Sequence, residues 1–138
     1  MKTIFTHNSD GSTICEAIVD GITYRGVARL NPKDKEFQSD KIGEEIAHSR
    51  LMIKLLKQKR NELNLRLNTI ESFYSSYKHT NDFSAKCLAE IATYEFSLDC
   101  VKQMIKDSEE SLKSYIKAKE TLHEKFIKIR SDKTEEEA

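Results

Sequence analysis

A chain of 138 residues with 38% hydrophobic and 33% charged side chains, one proline, four glycines and no tryptophan can bury the core of one domain and is too apolar for wholesale disorder. Lys plus Arg equals Asp plus Glu at 23 each, so the formal charge is zero. Holding duplex nucleic acid by its backbone needs a cation at each phosphate, and no excess of cations exists here. That role would fall to a local patch such as Lys54, Lys57, Lys59 and Arg60, without a helix-turn-helix pattern to place it, so a nucleic-acid partner is not expected.

No stretch reads as a signal peptide or a membrane span. The expected location is the cytoplasm, with no membrane partner. Cys15, Cys87 and Cys100 are odd in number and form no C-x-x-C pair, which argues against a disulfide framework or a zinc site. All three fall on apolar faces and are expected to be buried, inert thiols.

The first elements read as strands. Thr3 to His7 is β-prone, and Asn8-Ser9-Asp10-Gly11 has turn chemistry. Ser12 to Asp20 and Ile22 to Leu30 flank Asp20-Gly21, a strong two-residue hairpin signal. A turn there sets Val19 opposite Ile22, Ala17 opposite Tyr24, Cys15 opposite Gly26 and Glu16 opposite Arg25. One face is then small and apolar, fit for a helix. The other mixes Ile14, Ile18 and Val27 with Glu16, Arg25 and Arg29, and Glu16 with Arg25 makes a cross-strand ion pair. Asn31-Pro32-Lys33-Asp34 ends the sheet, because proline lacks a donor and keeps Asn31 out of helical geometry.

Two helices follow. Ser39 or Asp40 caps the first, which runs to about Lys78, with Glu44 and Glu45 near its positive end. Its seam is Ile42, Ile46, Ser49, Ile53, Leu56, Arg60, Leu63, Leu67, Ile70, Tyr74, Tyr77. After a turn at His79 to Asp82, the second carries Cys87, Ile91, Tyr94, Leu98, Val101, Ile105, Ser108, Leu112, Tyr115, Lys119, Leu122, Phe126 and Ile129. Steps alternate four and three, the heptad pattern of a helical seam. The expected fold is α+β within one domain, 1–138: a three-stranded antiparallel meander (2–31), then a long antiparallel two-helix hairpin (39–78 and 83–130) and a frayed tail (131–138). Such helices are about 60 Å long. Their further apolar positions (Leu51, Leu55, Leu65, Phe73, Leu88, Phe96, Met104, Ile116, Ile127) exceed what a small sheet can cover. The surplus points to a homo-oligomer, at least a dimer, with hairpins joined in a bundle.

Catalytic and metal motifs are missing: the histidines are scattered, and no P-loop, G-x-G-x-x-G or serine-nucleophile pattern occurs. No catalytic residue, metal ligand or cofactor is assigned, and the chain is read as a non-enzyme. The informative residues are the seam-breakers Arg60 and Lys119. Folding the hairpin near residue 80 sets Arg60 beside Asp99, Lys102 and the Tyr94 to Phe96 stretch, and Lys119 near the sheet end at Arg29. A cation on a seam needs an anion. One account pairs Arg60 with Asp99 or Glu95 and Lys119 with Glu44 or Glu45. The other is an anion pocket in which Arg25, Arg29, Arg60, Lys102 and Lys119 face phosphates and Tyr94 or Phe96 stacks on a base.

Gly26, Ala28, Pro32, Asp34, Phe37, Gly43, Ala47 and Arg50 follow one another across the junction from the last strand to the first helix. This pattern resembles that of the Thoeris anti-defence proteins of the first type, a family of small phage proteins. The resemblance implies a non-catalytic sponge, acting in the host cytoplasm. It would oligomerise and sequester a cyclic ADP-ribose isomer, the signalling nucleotide of TIR-based antiviral defence. The rival is a helical-hairpin adaptor or structural protein that grips a partner through its apolar stripes.

Overall fold

The computed structural model describes residues 1–29, 39–77 and 81–137. Three strands, β1 (Thr3–His7), β2 (Thr13–Val19) and β3 (Ile22–Ala28), form one antiparallel sheet in the order β1-β2-β3, followed by two long helices, α1 (Asp40–Tyr77) and α2 (Asn81–Glu137). The class is α+β, as expected. Asp20 and Gly21 both take positive φ, 52° and 77°, which is how a two-residue loop matches the twist of its strands. The register that follows is Val19↔Ile22, Ala17↔Tyr24 and Cys15↔Gly26. Glu16 meets Arg25 at 3.1 Å between Oε1 and Nε. In the first turn, Gly11 (φ 90°) returns its N–H to the Asn8 carbonyl at 3.0 Å.

Ser39 caps α1: its Oγ accepts from the Ile42 N–H at 3.4 Å, and its carbonyl accepts from the Gly43 N–H at 3.1 Å. The proline turn expected at Asn31 to Asp34 and residues 78–80 lie outside the described residues. β3 ends at Ala28, short of the expected Leu30, and Asn81 and Asp82, expected in the turn between the helices, already belong to α2. Helix α2 runs through Glu137, so the segment expected to fray is helical. Its sequence, Ser131 to Glu137, holds no glycine or proline to stop a helix.

The chain divides into two compact units: 1–52 with 108–138, and 53–107. The first has an interior of small side chains. Thr13, Cys15, Ala17, Ala28, Ala47 and Leu51 are all buried there. Their size allows α1 to come down almost onto β3: a Cβ on Gly26 would run into the Ala47 carbonyl and stand 2.5 Å from the Leu51 amide nitrogen. One helical turn earlier, a Cβ on Gly43 would stand 2.5 Å from Thr13 Oγ1. Glycine is demanded at both places by proximity rather than by φ. Leu51, expected among the surplus apolar positions, is instead completely buried as the large side chain of this contact.

The second unit joins 53–77 of α1 to 81–107 of α2 around Ile53, Leu63, Cys87, Leu98 and Ile105, all seam positions. Only residues 78–80 separate the two helices, so sharing an interior requires them to fold back on each other. Cys15 and Cys87 are buried, as expected, but Cys100 is exposed. It sits one residue before Val101 on α2, which turns it about 100° off the seam.

Replacing Gly26 by Ala is expected to destabilise the fold by about 1–3 kcal/mol, because backbone on both sides must give way. Gly21→Ala, with open space around it, is expected to cost only the strain of a positive φ, about 1–2 kcal/mol. Urea denaturation of the two variants beside the parent checks both figures.

Candidate functional site

The expected anion-site residues fall in both units. In the first, Arg25 lies on the sheet face turned away from α1, bound to Glu16. Arg29 stands just past the end of β3, exposed. Its charge reaches Asp10, whose carboxyl is held below the usual carboxylate range chiefly by hydrogen bonds from Ser12 Oγ and the Ser12 N–H, with Arg29 a minor contributor. Lys119 is half-buried with its Nζ 5.3 Å from the centroid of the Tyr115 ring, a cation–π contact one turn back on α2.

In the second unit Arg60 is half-buried on the α1 seam and Tyr94 on the α2 seam. Phe96 follows Tyr94 by two residues, about 200° around the helix, and is 71% exposed. The two rings therefore cannot flank one ligand on the same face of α2. Lys102 is exposed on α2. No ion pair to Arg60 occurs among the described residues, so the pairing with Asp99 or Glu95 is not formed. On α1 an open depression of about 520 Å³ is lined by Asn68, Glu71, Ser72 and Ser75. Among the described residues a carboxylate and no cation faces it, the wrong chemistry for a phosphate.

The first unit also carries a polar cluster outside the expected anion-site residues. His7 Nε2 lies 2.9 Å from Glu44 Oε1, and His7 Nδ1 lies 3.2 Å from Thr13 Oγ1 and 3.6 Å from Asp40 Oδ1. Hydroxyl, imidazole and carboxylate in that order have the outline of a nucleophile relay. Thr13 is only 3% exposed, however, and Gly43 closes over its hydroxyl. A substrate cannot reach it. The cluster ties the last residue of β1 to the first turns of α1, where carboxylates also favour the helix dipole. Nearby, Arg50 Nη1 donates to the Val27 carbonyl at 2.7 Å. Burial and then the Glu44 charge push the Cys15 thiol above its ordinary pKa, which keeps it unreactive. Among the described residues no group of three or more His, Cys, Asp or Glu could hold a metal ion, and no helix is long and apolar enough to cross a membrane.

Tyr115 is the one strongly perturbed group among the described residues. Its hydroxyl is shut off from solvent and has no hydrogen-bond partner among the described residues. Glu45 lies near enough to oppose ionisation without meeting hydrogen-bond geometry. Burial first, then that carboxylate, push the phenol up to about 12. Removing the stranded hydroxyl by Tyr115→Phe is expected to be neutral or to stabilise the chain by up to about 1 kcal/mol near neutral pH. The raised pKa means the folded state holds its proton more tightly than the unfolded one. The associated stability is intact below pH 10 and is lost as the pH climbs toward 12. Denaturation followed from pH 9 to 12 should show a shallower alkaline loss in Tyr115→Phe than in the parent.

Set against models of known protein families, curated proteins and solved structures, the chain matches none.

Proposed function

We propose that the chain is a non-catalytic binding protein that self-associates and sequesters a cyclic ADP-ribose-type nucleotide, acting as a phage anti-defence sponge. The reading rests on the resemblance at the strand-to-helix junction, and one observation lends it weight. Five of the eight residues carrying that resemblance, Gly26, Ala28, Gly43, Ala47 and Arg50, lie together where β3 and β2 meet α1. A shared pattern at positions with one joint physical task is a better sign of common architecture than the same letters scattered over a surface. These residues build the fold, so they speak to kinship and leave the ligand to others.

For the ligand, the support is chemical. Arg60 is half-buried on the α1 seam with no ion pair among the described residues. An uncompensated cation held on a packed seam favours an anion as its partner. Arg25 is the weakest member of the expected set, because Glu16 already occupies it.

The adaptor reading has its own observation. Leu88, Phe96 and Met104 on α2 are about half or more exposed. Side chains of that kind suit a protein partner as well as a second copy.

Calorimetry with a cyclic ADP-ribose isomer separates the two. The sponge reading expects tight, stoichiometric binding, recovery of intact nucleotide after denaturation, and at least tenfold weaker binding in Arg60→Ala. Absence of heat with the parent protein would sink it. The adaptor reading expects no such heat, and loss of a captured protein partner in Phe96→Glu.

A further inference from the structure

We propose that the outer edge of β1 pairs with the same edge of a second copy, about a two-fold axis at Phe5, to give one six-stranded antiparallel sheet. The two-residue loop at Asp20-Gly21 makes Val19 and Ile22 the closing hydrogen-bonded pair. Alternation then makes Ala17/Tyr24, Cys15/Gly26 and Thr13/Ala28 hydrogen-bonded pairs as well. The residues of β2 between them turn their backbone toward β1, so Ile4 and Thr6 are the members of β1 bonded to it. The Asn8 N–H on the Ser12 carbonyl, at 2.9 Å, is the next bond of the same ladder and fixes this phase independently. Thr3, Phe5 and His7 are left presenting their N–H and C=O groups outward.

The opposite edge of the sheet differs. There Arg50 already takes the Val27 carbonyl, a group the same alternation turns outward from β3. Among the described residues no such cover lies on β1, which has no proline, no lysine and no bulge within Thr3–His7. Those are the devices that keep an edge single. Backbone groups at positions 3, 5 and 7 are symmetric about Phe5, so an antiparallel copy meets them donor to acceptor. In this register Phe5 faces Phe5 of the second copy, and Thr3 faces the second copy's His7. The two histidines stay apart, each held by Glu44 and Asp40 of its own chain. A ring that is 36% exposed gains an aromatic neighbour. Side-chain alternation runs unbroken across the join, so the apolar half-face of Ile4, Ile14 and Ile18 doubles in extent. Nothing in the pairing depends on the nucleotide reading.

Disulfide trapping tests it in full-length chain with exposed Cys100 changed to Ser. Across the proposed axis, position 4 of one copy faces position 6 of the other with Cα atoms about 4.5 Å apart, within reach of a disulfide. Positions 4 and 4, or 6 and 6, are diagonal at about 7–8 Å and out of reach. Mixing Ile4→Cys with Thr6→Cys protein under mild oxidation should give a covalent dimer, and each variant alone should give little. No dimer in the mixture, or equal yields from the single variants, overturns the proposal. As an independent arm, Phe5→Lys sets two ammonium groups on the axis and should halve the assembly mass by light scattering while the circular dichroism is unchanged. An unchanged mass overturns it too.

Discussion

In the first unit α1 comes down on β3 until the Gly26 backbone meets the Ala47 carbonyl with no room for a Cβ. Much else follows from it. A helix that near to a sheet forces small residues over the whole contact, and Cys15, Ala17, Ala28 and Ala47 answer that demand. It brings the first turns of α1 within reach of β1 and β2, so His7 can bridge to Glu44 and Gly43 can close over Thr13. It also carries Arg50 to the Val27 carbonyl. Small side chains contribute little apolar area each, so dispersion at short range and these polar ties carry more of the load than in a leucine-rich core.

The burial pattern along α2 shows what the seam lacks. Its heptad positions are buried or half-buried from Cys87 to Lys119, then Leu122 and Ile129 are 59% and 57% exposed. Tyr115 lies beside Glu45, five residues from the start of α1. An antiparallel partner is therefore used up about five residues past Tyr115, near Glu120. The sequence keeps its heptad phase into this exposed stretch. Exposed Leu122 and Ile129 held in phase are better suited to another helix than to water.

Much of the fold was legible in the residues. Asp20-Gly21 specified loop length and turn class, and with them every pairing of β2 with β3 and the Glu16–Arg25 contact. Heptad steps identified Ile53, Leu63, Leu98 and Ile105 as interior. Leu51 escaped that logic because it is off the helix–helix seam and on the sheet-facing side, a contact that periodicity of one helix cannot register. The same holds for His7 and Glu44, far apart in sequence and joined only once α1 crosses the sheet. Cys100 was misjudged because one step from a seam position is enough to turn a side chain to solvent. The candidate site was less legible still. A list of cations and rings does not encode which face each occupies, and Tyr94 and Phe96 prove to point apart.

The chain thus has a tightly specified joint between sheet and helix, buried seam positions in each unit, and features that call for something more: exposed apolar side chains on α2, a strand edge uncovered among the described residues, and the seam cation Arg60. The account holds that these are completed by further copies and by a bound anion. Native mass spectrometry of the full-length protein, mixed with a cyclic ADP-ribose isomer, reads both at once. The account predicts an assembly of two or more chains whose mass rises by whole ligands that are ejected intact on activation. A monomer whose mass is unchanged by saturating nucleotide would contradict it.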